Sequence, residues 1–238
     1  KCLRKGLIWY QGEAKVNRAA EYKKVFPALI NVWLKNFNQG NIPFLFVQLA
    51  NYMQEANKPV ESDWAELREA QAAALSLPNT GMAVAIDLGE ADNIHPKNKS
   101  EVGKRLGLVA LKVAYNKNVI SSGPIYKFME IIKDSIIIHF KNSNEDLITK
   151  NKYGYVRGFQ IAGIDKKFHW AKAYIRNNSI TVYCNEVMKP LAVRYAWSDN
   201  PGQIDLYNNE GLPAIPFRTD DWPLKTSGKL FSENQWEY

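Results

Sequence analysis

The chain has 238 residues, 46% hydrophobic and 23% charged, with 14 glycines and 11 prolines, which excludes a disordered, collagen-like or purely coiled-coil protein and suits one or two globular domains. Its 31 basic and 24 acidic residues give a formal charge of +7, but the basic clusters near 23–24, 97–105 and 166–167 are short and mixed with acids, so no nucleic-acid partner is expected. No apolar run reaches membrane-spanning length, so no membrane partner is expected, and the two cysteines, Cys2 and Cys184, allow at most one bridge and no thiolate metal cluster.

In chain order, residues 6–10 form a continuous apolar run that reads as a buried strand ending in the polar turn Gln11-Gly12-Glu13. From 18 to 36 the residues Tyr22, Val25, Phe26, Leu29, Ile30 and Trp33 recur at three- and four-residue spacing, which predicts a helix with one buried face, kinked at Pro27. Residues 43–47 read as a second buried strand, followed by a loop through 51–59. Ser62 or Asp63 caps a helix running to about Leu75, with Glu66 spaced for a reciprocal capping box with Asp63. The turn at 78–81 leads into a third strand over 82–86 and a polar loop over 87–98. Asn98, with Glu101 three residues on, then opens a helix whose Val102, Leu106, Val109, Ala110 and Val113 face inward.

Strand alternating with helix predicts an α/β layer fold around a parallel sheet, whose ligands sit at the carboxyl ends of the strands. The loops after Tyr10 and after Ile86 leave such ends, so one end of the sheet is expected to collect Gln11, Glu13, Asp92 and His95. Beyond about 121 the texture changes to short β-branched or aromatic runs at 125–132, 135–140, 158–164, 171–176, 179–183 and 191–196. These predict a β-sandwich domain over 122–199. The stretch 200–238, rich in Asn, Pro, Gly and aromatics without a period, is expected to be irregular chain packed against the domains.

Three histidines limit the search for a general base. His139, inside an Ile-Ile-Ile-His-Phe strand, and His169, beside Trp170, read as structural. His95 stands in a polar loop three residues after Asp92, where a turn can bring the carboxylate onto Nδ1–H and leave Nε2 to accept a proton. The competing reading of Asp-x-x-His is a loop salt bridge. At the first strand's end, Gln11 with Gly12 can aim an amide N–H₂ and a backbone N–H at a developing oxyanion, a donor type whose loss costs about 2.7 to 4 kcal/mol of transition-state stabilisation. Glu13 either hydrogen-bonds within that site or starts the next turn. The competing reading is a polar cap on the strand. No Gly-x-Ser-x-Gly, Gly-Asp-Ser or Gly-Gln-Ser element occurs, Ser62 reads as a cap, and Ser121-Ser122 falls at the domain junction. Acyl transfer therefore requires a serine from an earlier segment absent from this chain, or an activated water with no metal ligands in evidence.

Several blocks resemble the sialate O-acetylesterases and related SGNH-type carbohydrate acetylesterases: Gly-Leu-Ile-Trp-Tyr-Gln-Gly-Glu at 6–13, Pro-Phe-Leu-Phe-Val-Gln-Leu at 43–49, and Asp-Leu-Gly-Glu at 87–90 through His-Pro-Lys-Asn-Lys at 95–99 to Val-Gly-Lys-Arg-Leu at 102–106. Val-Arg-Tyr-Ala-Trp at 193–197, Glu-Gly-Leu-Pro-Ala at 210–214 and Pro-Phe-Arg-Thr at 216–219 extend the likeness along the chain. The resemblance implies a serine esterase that removes O-acetyl groups from sugars without a cofactor, in a secreted or periplasmic setting, with His95 as base, Asp92 as its orienter, and Gln11 as an oxyanion or substrate contact. It implies residues 1–121 as the carboxyl-terminal part of a flavodoxin-like esterase domain, with the serine in an upstream Gly-Gln-Ser-Asn-like block and one sheet edge left uncovered. Ala14-Lys15 depart from the family's usual Ser-Asn after Gln-Gly-Glu. A non-catalytic carbohydrate-binding module, suggested by Trp170 and Trp197, is the alternative.

Overall fold

The computed structural model describes residues 5–38, 40, 42–141, 147–151 and 154–231. Strands β1 (Leu7–Trp9), β2 (Phe44–Gln48) and β3 (Thr80–Val84) form a parallel sheet in that spatial order, with Leu7 opposite Phe44 and Phe44 opposite Thr80. Every residue of β2 is buried, as a strand covered on both faces must be. Its alternating side chains divide the core: Phe44 and Phe46 join the cluster containing helices α1 (Ala19–Phe37) and α2 (Asp63–Ala73), whereas Leu45 and Val47 pack with Val102 and Val109 of α3 (Lys99–Val113). The expectation of a buried first strand needs correcting. β1 lies at the sheet edge, and Ile8 is 69% exposed because nothing among the described residues covers that face.

A 3-10 turn, Glu13–Arg18, precedes α1, so the helix begins at Ala19. α1 follows the apolar period: Tyr22 stacks on Phe26 at 5.1 Å between ring centres, and Phe26 meets Phe46 edge-on at 5.2 Å. Pro27 lies inside the continuous helix, which stops at Asn38 in the left-handed conformation. α2 starts at Ser62, whose hydroxyl oxygen accepts from the Ala65 N–H at 2.9 Å. Glu66 does not close the expected capping box. Its buried carboxylate accepts from the Lys225 and Thr226 backbone N–H groups and from the Thr226 hydroxyl at 2.7, 3.0 and 2.6 Å, three donors where the box offers one.

The remaining strands are antiparallel. β4 (Ile125–Ile132), β5 (Ser135–Lys141), β9 (Lys172–Arg176) and β10 (Ser179–Tyr183) form one sheet in the order β4-β5-β10-β9. β7 (Phe159–Ala162), β8 (Phe168–Trp170), β11 (Ala192–Tyr195) and β13 (Phe217–Arg218) form another in the order β13-β11-β7-β8, while β6 (Leu147–Thr149) pairs with β12 (Leu206–Asn208). Ile136, Ile138, Ile180 and Val182 share one core with Phe159, Ile161, Val193 and Tyr195, and the Phe217 ring lies against Tyr126, Phe140 and Phe159. Within the stretch that shows no period, 206–208 and 217–218 are strands held by pairing with β6 and β11.

The chain is therefore a mixed α/β protein with one parallel sheet and several antiparallel ones. Among the described residues no helix is long and apolar enough to cross a membrane. Cys184 is a buried free thiol donating to Glu186 Oε2 at 2.8 Å, and burial raises its pKa; Cys2 lies outside the described residues.

Candidate active site

Because the three strands are parallel, their exits share one end of the sheet, with the exit of β2 between those of β1 and β3. The Gln11-Gly12-Glu13 turn leaves β1 and the 87–98 loop leaves the β3 side. Both are tied to the segment that follows β2. Gln71 of α2 accepts the Leu49 N–H at 2.9 Å and donates to the Gln11 carbonyl at 3.2 Å, while Asn51 Oδ1 accepts the Gly89 N–H at 2.7 Å. A Cβ on Gly89 would sit 1.9 Å from the Asn51 carbonyl oxygen, so only glycine permits this close approach.

At the β1 exit the Tyr22 hydroxyl donates to the Gln11 backbone oxygen and to Gln11 Oε1, each at 3.4 Å. The Gln11 Nε2 amino group donates to no atom among the described residues, which leaves a directed N–H₂ for a ligand. Burial pushes the Tyr22 phenol up to about 12, and the Glu13 charge adds to the rise, so at neutral pH Tyr22 remains a donor. Tyr10 is pushed up to about 12 by burial and then by Glu13. The Gly12 N–H donates to Glu13 Oε2 at 2.9 Å. That amide is thus taken up by its neighbour's carboxylate in this conformation, and Glu13 serves both as the start of the 3-10 turn and as an acceptor at its head.

The 87–98 loop is held at both ends. Asp87 receives Arg105 at 2.5 and 2.9 Å and the Tyr207 hydroxyl at 3.1 Å, and Asn98 caps α3 by accepting from Glu101 N–H at 3.1 Å. Between them, Ala91 accepts from the Met53 N–H, and Lys97 pairs with Glu90 at 2.7 Å. His95 is exposed, with its backbone N–H donating to Asn93 Oδ1 at 2.9 Å. Asp92 is exposed as well, but its Oδ1 accepts from Gln54 Nε2 at 3.1 Å. No Asp92–His95 hydrogen bond occurs among the described residues, so the structure brings the two onto one loop without joining their side chains. Lys99, at the start of α3, lies 5.1 Å over the Tyr10 ring and links this loop's end to the β1 exit.

The other candidates sort by geometry. His139 is part-buried, stacked on the apolar Phe128 ring at 4.4 Å with Nε2 2.7 Å from Glu130. Trp197 is 1% exposed and Trp170 is 41% exposed, with its indole N–H on the Asn57 carbonyl at 3.1 Å. Ser62 is buried, capping α2 and donating to Asp199 Oδ1 at 2.6 Å. Sequence reasoning missed Gln71 and Arg68, both fully buried. Arg68 donates to the carbonyls of Leu49, Ala50, Ser198 and Asp199 at 2.8–3.0 Å, and burial pulls its pKa down to about 9, with Asp199 opposing that shift. The signal was there: Trp64, Leu67, Arg68, Gln71 and Ala74 lie at helical spacing, which puts two polar residues on the inward face.

Residues 3–112 match the family model described as "Carbohydrate esterase, sialic acid-specific acetylesterase". Two sialate O-acetylesterases are similar to nine-tenths of the chain: the mouse protein at 32% identity over 241 residues and the human protein at 31% over 243, covering 90% of this chain and 44% and 45% of those proteins. The crystal structure of a carbohydrate acetylesterase from Xanthomonas citri superposes with a TM-score of 0.87 at 42% identity, over 92% of this chain and 51% of that one. The chain spans about half the length of the relatives it matches. The strand exits, the Gln-Gly-Glu turn and the His95 loop all lie within residues 3–112, the stretch of the chain that is similar to the sialic acid-specific acetylesterase family of carbohydrate esterases.

Proposed function

We propose that this chain is the carboxyl-terminal part of an SGNH-type carbohydrate O-acetylesterase acting by a Ser-His-Asp mechanism. The serine comes from an upstream segment of the same protein, the O-acetylated sugar is the substrate, and the setting is secreted or periplasmic. In this reading 1–121 completes the esterase domain, 122–199 is a β-sandwich, and 200–238 packs on both. The observation that carries it is the shared exit of the parallel strands, where an exposed imidazole and a glutamine amide with an open Nε2 leave the sheet at the same end.

The serine hydroxyl attacks the acetyl carbonyl while His95 Nε2 takes its proton. The Gln11 amide donates to the oxyanion, and the imidazolium returns the proton to the departing sugar hydroxyl. Water, deprotonated by the same imidazole, then releases acetate and regenerates the serine. Asp92 serves as orienter once its carboxylate leaves Gln54 for the Nδ1–H, so Gln54 competes with His95 for one carboxylate. Gly12 contributes its N–H once Glu13 releases it. The upstream segment pairs with the free edge of β1 and covers Ile8 and the 460 Å³ apolar cavity lined by Trp9, Tyr22, Val25, Phe26 and Leu29.

The test is turnover of p-nitrophenyl acetate. The 238-residue chain is expected to be inactive and the full-length protein active, with His95→Ala removing nearly all activity, since a positioned general base contributes about 10² to 10⁴ in rate. Retained turnover in folded His95→Ala rejects the assignment. Turnover by the short chain, lost to a serine-directed inhibitor, rejects the upstream serine. The carbohydrate-binding alternative keeps only Trp170, since Trp197 is core.

A further inference from the structure

We infer that Gln71 is a positioning residue for the Gln11 amide, fixing where the β1 exit presents its donor. The inference rests on the esterase reading through the role given to Gln11. Gln71 is 1% exposed, and both ends of its amide are used. Oε1 accepts the Leu49 N–H at 2.9 Å, and Nε2 donates to the Gln11 carbonyl at 3.2 Å and to the Val47 carbonyl at 3.4 Å. One side chain from α2 therefore joins the exit of β1 to the exit of β2 just past the last ladder pair, Trp9–Phe46.

Beyond that pair no β-ladder hydrogen bond among the described residues holds the β1 chain in register, so the Gln11 carbonyl is placed by side chains, and Gln71 supplies the shorter of its two side-chain hydrogen bonds. A shift of that carbonyl displaces the Gln11 Cα bonded to it and, with it, the side-chain amide given to the oxyanion. Gly12 lets the clamp close: a Cβ there would stand 2.9 Å from Leu67 Cδ2 and 3.2 Å from Gln71 Nε2. The Tyr22 hydroxyl acts from the α1 side on the same carbonyl and on Gln11 Oε1, so the carbonyl is gripped by two helices while the Nε2 end stays open. A buried amide is suited to this work. It carries one acceptor and two donors, and here it meets one N–H and two carbonyls.

The test uses the full-length protein with p-nitrophenyl acetate and compares wild type, Gln11→Ala, Gln71→Glu and the double variant. Gln71→Glu keeps an acceptor for Leu49 but turns an oxygen toward two carbonyls. Its kcat is expected to fall about 10- to 100-fold, the scale of an ångström of misplacement, with KM within about twofold. The double variant is expected to lose no more than Gln11→Ala, as residues acting through one another are not additive. Full kcat in folded Gln71→Glu, or additive losses, overturns the inference. Unchanged kcat in Gln11→Ala instead overturns the reading of Gln11, and so the two failures are distinguishable. Should Gln71→Glu fail to fold, NMR of the wild-type protein decides: slowly exchanging Gln71 side-chain amide protons with NOEs to the Gln11 Hα support the clamp, and fast exchange without those NOEs overturns it.

Discussion

Helices α1 and α2 pack on the same face of the parallel sheet and against each other, yet they bury different chemistry. α1 buries Tyr22, Phe26 and Ile30, a stripe that joins the core by apolar area and ring packing. α2 buries Trp64, Leu67 and Ala70, but also Glu66, Arg68 and Gln71, each fully inside and each fastened to a different piece of chain. Glu66 holds the 225–226 turn, Arg68 holds the loops after β2 and around Ser198, and Gln71 holds the β1 exit. The contrast teaches that one helix supplies cohesion and the other supplies placement. Cohesion tolerates volume-conserving change, but a buried donor or acceptor that loses its partner costs the whole desolvation of that group.

Replacing α2's anchors should therefore be worse than trimming α1, and differently so. Arg68→Met removes a donor from the Leu49 and Ser198 carbonyls, while Ala50 keeps the Trp64 indole and Asp199 keeps the Tyr52 N–H, and it is expected to cost about 1 to 3 kcal/mol for each carbonyl left unsatisfied, in urea denaturation. Because Arg68 ties the α/β layer to the 198–199 segment, its loss should also separate the unfolding of the two parts, visible as non-coincident transitions by two probes. Ile30→Ala on α1 is expected to cost about 2 to 5 kcal/mol in one coincident transition, with no new phase. If both variants unfold in a single step with equal loss, the contrast fails. Ser62→Ala, which removes the α2 cap, should be the smallest of these, about 0.5 to 2 kcal/mol.

An acid titration sharpens the same point in the antiparallel part. Asp220 is enclosed by Arg194 and Arg218; burial alone would raise its pKa, but hydrogen bonds and charge from the two guanidinium groups outweigh burial and hold it below the usual carboxylate range. Its folded-state pKa lies below its unfolded one, so the stability it brings is fully present above the ordinary Asp pKa of about 3.9 and is lost as pH falls through the depressed value. Stability measured from pH 6 down to pH 2 should drop on that limb, and Asp220→Asn should flatten it. An unchanged limb in the variant would place the acid sensitivity elsewhere.

Much of this was legible in the sequence because it rests on period. The three-four spacing of α1, the continuous apolar run of β2 and the β-branched runs of β4 and β10 each mark their own element, and the structure supplies what each packs against. The strands at 206–208 and 217–218 carry no such pattern, since two or three residues become a strand only when β6 and β11 offer them hydrogen bonds. An apolar run looks the same whether or not a neighbour covers it, so the run at 6–10 read as buried, and only the family resemblance implied that some edge of the sheet lies uncovered. In the site, the parallel sheet fixed which loops meet. Side-chain pairing was beyond reach, and Asp92 chose Gln54, a residue 38 positions away, over the imidazole three positions along.

The bare rim of β1 has a practical consequence. Among the described residues β1 has no strand on its outer side and turns an isoleucine to water, and such an edge is a template for a second copy, so the 238-residue chain purified by itself should self-associate as its concentration rises. Ile8→Lys should keep it monodisperse in sedimentation, since a lysine there resists edge-to-edge stacking while leaving the glutamine three residues on in place.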